Sequence, residues 1–184
     1  MARGRESFGL GFASSPVVGS GGGQKWDSSF ELIVSIELAH IETQRAKRPY
    51  VAVWIENEEK FPVRTLALWF AKPKWLPDLK SWNRSDKLRA EAAGTNETNF
   101  ARSISSATRS PGKYTLKWDG KDNTGELVKP GKYTVFIEAA REHGTHQVMR
   151  QEVEFAGTPQ KIELKGNIEV SSAALEYHRK AEAR

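Results

Sequence analysis

The chain contains no cysteine. That excludes disulfides and thiolate chemistry. It leaves the compartment open, because envelope and cytosolic domains both fold without bridges. The sequence also lacks any stretch near the roughly 18 to 20 apolar residues needed to cross a bilayer, so no membrane span is expected in this chain. Met1 to Ser20 carries Arg3 and Arg5 but no continuous apolar run of a secretory signal. The expectation is either a cytosolic chain or one whose export signal lies outside this sequence. Charge of one sign is scarce too, with 28 Lys and Arg against 23 Asp and Glu, net +5. The densest basic cluster is Arg45, Lys47 and Arg48, with Ala46 inside it. It reads as a solvated loop ahead of a strand. A nucleic-acid binder would gather its cations on one element with aromatics between them, so nucleic acid is not an expected partner. There is no Gly-x-Ser-x-Gly elbow and no Gly-rich phosphate loop ahead of a helix. The expectation is a protein that is not an enzyme.

What is present supports one core. Six Trp, eight Phe and four Tyr stand among 184 residues that are 38% hydrophobic. Residues 1–27 are Gly/Ser-rich and read as a disordered tail or linker. Residues 28–178 read as one domain, and 179–184 as a charged tail. Phe30 to Leu38 is a strand with Leu32, Val34, Ile36 and Leu38 on one face. Tyr50 to Glu56 and Val63 to Phe70 are strands as well. The second of these is apolar on both faces, which predicts a central strand covered on both sides. Residues 74–100 break the pattern and read as a short helical or loop insertion. A helix runs from Pro77 to about Trp82, a further one after Ser85 is capped by that serine, and Gly94 to Asn99 is a polar loop.

A local repeat follows. Pro111-Gly112-Lys113-Tyr114-Thr115 returns as Pro130-Gly131-Lys132-Tyr133-Thr134, each a turn launching a strand. Lys132 to Ala140 and Val148 to Phe155 flank a hairpin turn at His143 to His146. Short strands are expected at Ile162 to Leu164 and Ile168 to Val170, then a frayed strand end and tail from Ala173. Seven or eight short strands with turn signals about every ten residues predict an all-β, immunoglobulin-like β-sandwich.

Several groups are candidates for chemistry. His143 and His146 face each other across the predicted turn, as exposed polar residues or, with Glu142 or Glu138, as metal ligands. Asp119, Asp122 and Asn123 superficially resemble a calcium loop, but the spacing and the missing terminal Glu favour turn chemistry. Trp54, Trp69 and Trp118 are core candidates, whereas Trp75 and Trp82 are candidates to line a groove. Ser103 to Ser110 reads by itself as a small-residue loop.

Five blocks occur in order: Arg48 to Glu56, Leu66 to Phe70, Lys74 to Leu79, Ser106 to Arg109, and Glu138 to Gly144. In these the chain resembles the predicted periplasmic proteins grouped as domain of unknown function 2271, over about residues 30 to 178. The stretch from Trp118-Asp119-Gly120 to Gly131-Lys132-Tyr133 also resembles the Ig-like domain of the flagellar hook-capping family. The first resemblance implies export to the periplasm and company with membrane-anchored PepSY-type proteins and an ApbE-type flavin transferase. That transferase joins FMN by a phosphodiester to Thr or Ser in a motif resembling Asp-x-x-Ser-Gly-Ala-Thr. Ser105-Ser106-Ala107-Thr108 aligns with its last four positions, which makes Thr108 the implied acceptor and Arg109 a neighbour for phosphate or reduced flavin. Arg102 stands where the motif has Asp, and Ser106 where it has Gly. The resemblance thus implies an accessory, partner-binding module of a redox or iron-related membrane system, or an electron carrier with covalent FMN at Thr108.

Overall fold

The computed structural model describes residues 25–42, 47–95, 97–142 and 144–181. Two antiparallel sheets face each other as a sandwich. One holds β1 (Phe30–Leu38), β5 (Gly112–Trp118), β8 (Gln160–Leu164) and β9 (Val170–Arg179) in the order β5-β1-β9-β8. The other holds β2 (Tyr50–Asn57), β3 (Pro62–Trp69), β4 (Ser105–Ser106), β6 (Gly131–Ala140) and β7 (His146–Phe155) in the order β4-β3-β2-β6-β7. Only β4, two residues paired with Leu68 and Trp69, runs parallel to its neighbour. The expected β-sandwich is therefore what the chain forms.

A third layer covers the outer face of the second sheet. It consists of a 3-10 helix (Pro73–Asp78), α1 (Lys80–Ala93) and α2 (Glu97–Ile104). This layer explains β2, where six consecutive residues from Tyr50 to Ile55 are buried. Val51, Val53 and Ile55 enter the sandwich core, while Tyr50, Ala52 and Trp54 pack under the helices. A strand covered on both faces needs no polar alternation. In β3 strict alternation fails at Leu66. Val53 pairs with Ala67 and Trp54 with Thr65, so Leu66 is the extra residue of a bulge. Leu66 packs with Ala67 and Trp69 against the sandwich core, and Leu68 turns to the helices.

Three local readings need correction. Gly94 to Asn99 is not all loop, because α2 begins at Glu97. Ser85 caps nothing: it lies inside the 14-residue α1, buried. The last strand is Val170–Arg179 rather than Ile168 to Val170, and Ile168 is exposed. Asn167 Oδ1 accepts the N–H groups of Glu169 and Val170, which turns the chain just before β9 begins. The Ser171-Ser172-Ala173-Ala174 run has little strand propensity, but Ser172 to Ala174 pair with β1, and Ala173 and Ala174 with β8 as well, which overrides that.

The repeat serves both sheets. Tyr114 OH donates to the Ser110 carbonyl at 2.7 Å and Tyr133 OH to the Lys129 carbonyl at 2.6 Å, the same bond four residues back in each copy. The first copy opens an edge strand of one sheet and the second an inner strand of the other. Trp26 lies on the N-terminal side of residue 28 yet is 3% exposed, packed on Trp118, Phe155 and Tyr177. Residues 1–24 lie outside the described residues.

Candidate functional site

The helical layer is held down by acids on the sheet beneath it. Glu138, on β6, is fully buried. Its Oε1 accepts the Ser81 N–H at 2.9 Å and its Oε2 the Trp82 N–H at 2.7 Å. Those are first-turn amides of α1, which have no partner inside the helix. The residue before α1, Leu79, supplies no side-chain cap, so a strand carboxylate does so instead. It meets the positive end of the helix dipole there. His146 Nε2 lies 2.5 Å from Glu138 Oε1, with its side chain a third exposed. Glu56 acts one turn further on. Its Oε1 accepts from Trp54 Nε1 at 2.8 Å and from Ser85 Oγ at 2.7 Å. Ser85 is thus an anchor of α1.

Between α1 and β7 these anchors leave a groove of about 520 Å³. Trp54 and Phe136 form its floor, stacked at 4.7 Å with 8° between planes. Leu88 of α1 and Val148 of β7 flank it, 47% and 40% exposed. Lys60, Arg84 and Arg150 stand at its rim, all exposed. Singly exposed apolar side chains are ordinary, but two lining one aromatic-floored groove are a feature of binding surfaces.

A smaller cavity of about 310 Å³ lies on the other side of α1, lined by Phe70, Leu76, Trp82, Asp86 and Arg102 among others. Trp82 borders it but is only 2% exposed, and its Nε1 points to Thr65 Oγ1 at 3.4 Å. It belongs to the packing under α1 more than to an open groove. Trp75 is half-buried against the same cluster. Asp86 is buried. Burial pushes its carboxyl above the usual range, against the hydrogen bond and charge of Arg89, whose Nε is 2.6 Å away.

The residues singled out by sequence fall in different places. Ser105 and Ser106 form β4, and the Ser106 carbonyl accepts the Phe70 N–H at 3.0 Å. Thr108 is half-buried in the coil that carries the chain from β4 to β5. Arg109, exposed, places its guanidinium 5.5 Å from the centre of the Trp69 ring. His143 lies outside the described residues. His146 begins β7 and meets Glu138, while Glu142 pairs at 4.0 Å with Lys47. Among the described residues no group of three or more His, Cys, Asp or Glu could hold a metal ion. Asp122 does turn chemistry: its Oδ1 accepts from the Thr124 N–H, the Thr124 hydroxyl and the Glu126 N–H. Asn123 docks on the β3 edge through the Val63 carbonyl and the Thr65 N–H.

Sequence reasoning missed Glu138 and Glu56 as helix anchors, and Asp86 as a buried acid inside α1. The one available signal was an acid in the otherwise apolar second half of a strand, Glu138 between Ile137 and Ala139. It also missed Glu169, fully buried, which holds Arg141 Nε at 2.8 Å and accepts the Thr145 hydroxyl.

Among the described residues no helix is long and apolar enough to cross a membrane. Residues 31–172 match the model of a family described as "Predicted periplasmic protein (DUF2271)". No curated protein and no solved structure matches the chain.

Proposed function

The chain belongs to the DUF2271 family of predicted periplasmic proteins, and from that premise we propose that it is a non-catalytic binding module of the cell envelope. Its partner is a membrane-anchored PepSY-type protein of a redox or iron-related system. The observation that supports this reading is the α1–β7 groove, where Leu88 and Val148 stand exposed over a stacked Trp54–Phe136 floor. Such a surface gains by excluding water against a partner. The test is binding of the purified chain to the extracytosolic part of a PepSY-type protein encoded beside it, followed by biolayer interferometry. Wild type binds, and Leu88→Glu weakens binding by about tenfold or more, some 1.4 kcal/mol. No binding by the wild type, or full binding by Leu88→Glu, overturns the reading.

A second reading is an electron carrier with FMN joined through a phosphodiester to Thr108 Oγ1. It is favoured by the position of Thr108 in coil outside both sheets, with Arg109 next to it. In that case the flavin supplies the redox chemistry and the protein holds it. Coexpression with an ApbE-type transferase in an export-competent host, followed by intact mass, decides this. A gain of one FMN moiety that disappears in Thr108→Ala supports it, and an unmodified mass overturns it.

A further inference from the structure

We propose that the α1–β7 groove receives an extended acidic segment of a partner protein, which adds as a strand to the free edge of β7. This rests on the reading above that the face is a binding surface, and it names the occupant.

The first support is the edge itself. Among the described residues β7 is the last strand of its sheet, ten residues paired only with β6. Main-chain groups of alternate residues point to alternate sides of a strand. The Glu152 and Glu154 carbonyls accept side-chain amides from Gln151 and Gln160. Even-numbered residues therefore turn their main chain away from β6, and His146, Val148 and Arg150 share that parity. The chain covers its own edge at Glu152 and Glu154, beyond the groove. Alongside the groove, among the described residues, the edge is left open. An uncovered edge is a template for an incoming strand.

The second support is where the side chains of such a strand would lie. Val148 pairs with Glu138 and Arg150 with Phe136, so this stretch of β7 borders the groove floor. An added strand sends every second side chain over that outer face. There it meets Leu88 of α1, one helical turn from Arg84 and Ser85 along the same face.

The third support is charge. Among the described residues Lys60, Arg84 and Arg150 make no salt bridge, whereas Glu56 is engaged by Trp54 and Ser85. The rim is thus complementary to carboxylates and repels a basic segment. The three cations sit on three elements: the β2–β3 turn, α1 and β7. That distribution suits a chain bearing several carboxylates better than one anionic head group.

The test uses a fluorescein-labelled ten-residue peptide of alternating Glu and Val, titrated with the full chain by anisotropy. Its comparators are the Lys–Val peptide and Glu–Val peptides N-methylated at every second residue, in both registers. The Glu–Val peptide should bind about tenfold tighter than the Lys–Val peptide and than at least one methylated register, and more weakly as salt rises. Val148→Pro removes an outward N–H, which edge strands tolerate, and a thermal melt verifies its fold. Val148→Ala keeps that N–H. Strand addition requires that Val148→Pro abolish binding while Val148→Ala weakens it only a few-fold. No binding of the Glu–Val peptide, equal binding of both methylated peptides, or equal losses in the two variants overturns the inference. Displacement of the peptide by benzoate would mark a small-anion site and overturn it too. Binding of the PepSY-type protein with its Leu88→Glu control answers separately for the surface, so the added strand can fall while the binding surface stands.

Discussion

The Trp82 N–H at the start of α1 donates to Glu138 Oε2, a carboxylate of strand β6, at 2.7 Å. One buried acid thus fixes both the start of a helix and its height above the sheet. Removing it leaves the Ser81 and Trp82 amides without an acceptor, at about 1–3 kcal/mol for each buried group. Glu138→Ala should lower unfolding free energy by about 2–4 kcal/mol in urea titration. Glu138→Gln keeps one acceptor and sets an NH₂ group against the other amide, so its cost should be intermediate. A change below about 0.5 kcal/mol in the alanine variant, typical of plain surface positions, would show that the helix does not depend on this cap.

A second buried acid ties the two sheets together. Glu169, just ahead of β9, holds Arg141 at the end of β6, and the Arg141 side chain is 10% exposed. Arg141 Nη1 also reaches the Lys47 carbonyl, so one guanidinium joins three stretches of chain. Taking away one partner of a buried pair strands the other charge, at about 3–5 kcal/mol. Glu169→Leu should therefore be strongly destabilising. The double variant Arg141→Met with Glu169→Leu should recover most of that loss. Additive losses in the double-mutant cycle would show that the pair is not coupled.

The third prediction concerns the N-terminal boundary. Gly120 sits at φ 80°, and a Cβ there would lie 2.3 Å from the Trp26 ring. Trp26 also donates its backbone N–H to the Val128 carbonyl at 2.8 Å and receives Phe155 and Tyr177 on its ring. Trp26→Ala should cost about 3–5 kcal/mol, as large-to-small changes in cores do. Gly120→Ala should destabilise as well, through backbone strain and through displacement of the ring. A chain starting at residue 28 should melt well below one starting at residue 24. Equal melting of the two would remove Trp26 from the core.

Much of this fold could be read from alternation and turn residues. The inward set Leu32, Val34, Ile36 and Leu38 is buried as its spacing implies, and the two Pro-Gly-Lys-Tyr turns do launch strands. What could not be read depends on contacts distant in sequence. Nothing around Trp26 separates it from the Gly-rich stretch before it, because its burial depends on Trp118, Phe155 and Tyr177. Ser85 satisfies the local rule for a cap, but the cap of α1 is a carboxylate 57 residues from Ser81. The weak strand residues Ser172 to Ala174 are held by β1, and Ala173 and Ala174 by β8 too. The candidate groove was less legible still. Its floor pairs Trp54 with Phe136, and its flanks pair Leu88 with Val148, residues joined only by folding. The Ser105 to Arg109 stretch was visible through a resemblance, and the structure sets it at the β4 edge and in the following coil.

Two buried or hydrogen-bonded acids should pull the acid limb of stability in opposite directions. At Asp122 burial raises the carboxyl, but hydrogen bonds from Thr124, Glu126 and Gly125 outweigh it and leave the group below its usual range. Its folded value is depressed, so its contribution is present above the unfolded value and is lost as pH falls through the folded one. At Asp86 burial wins over Arg89 and the folded value is raised. Its ionisation therefore costs stability as pH rises through the ordinary carboxylate range, and protonation relieves that cost as pH falls. Asp122→Asn keeps an Oδ1 acceptor without the charge and should flatten the loss of melting temperature from pH 6 to pH 3, about the span over which carboxylates titrate. Asp86→Asn removes the group that gains on acidification and should steepen the same limb, whatever it does to stability at neutral pH. Melting curves of the two variants against wild type across that range read the slopes directly. Parallel slopes in all three proteins would mean that neither carboxyl differs in proton affinity between the folded and unfolded chain.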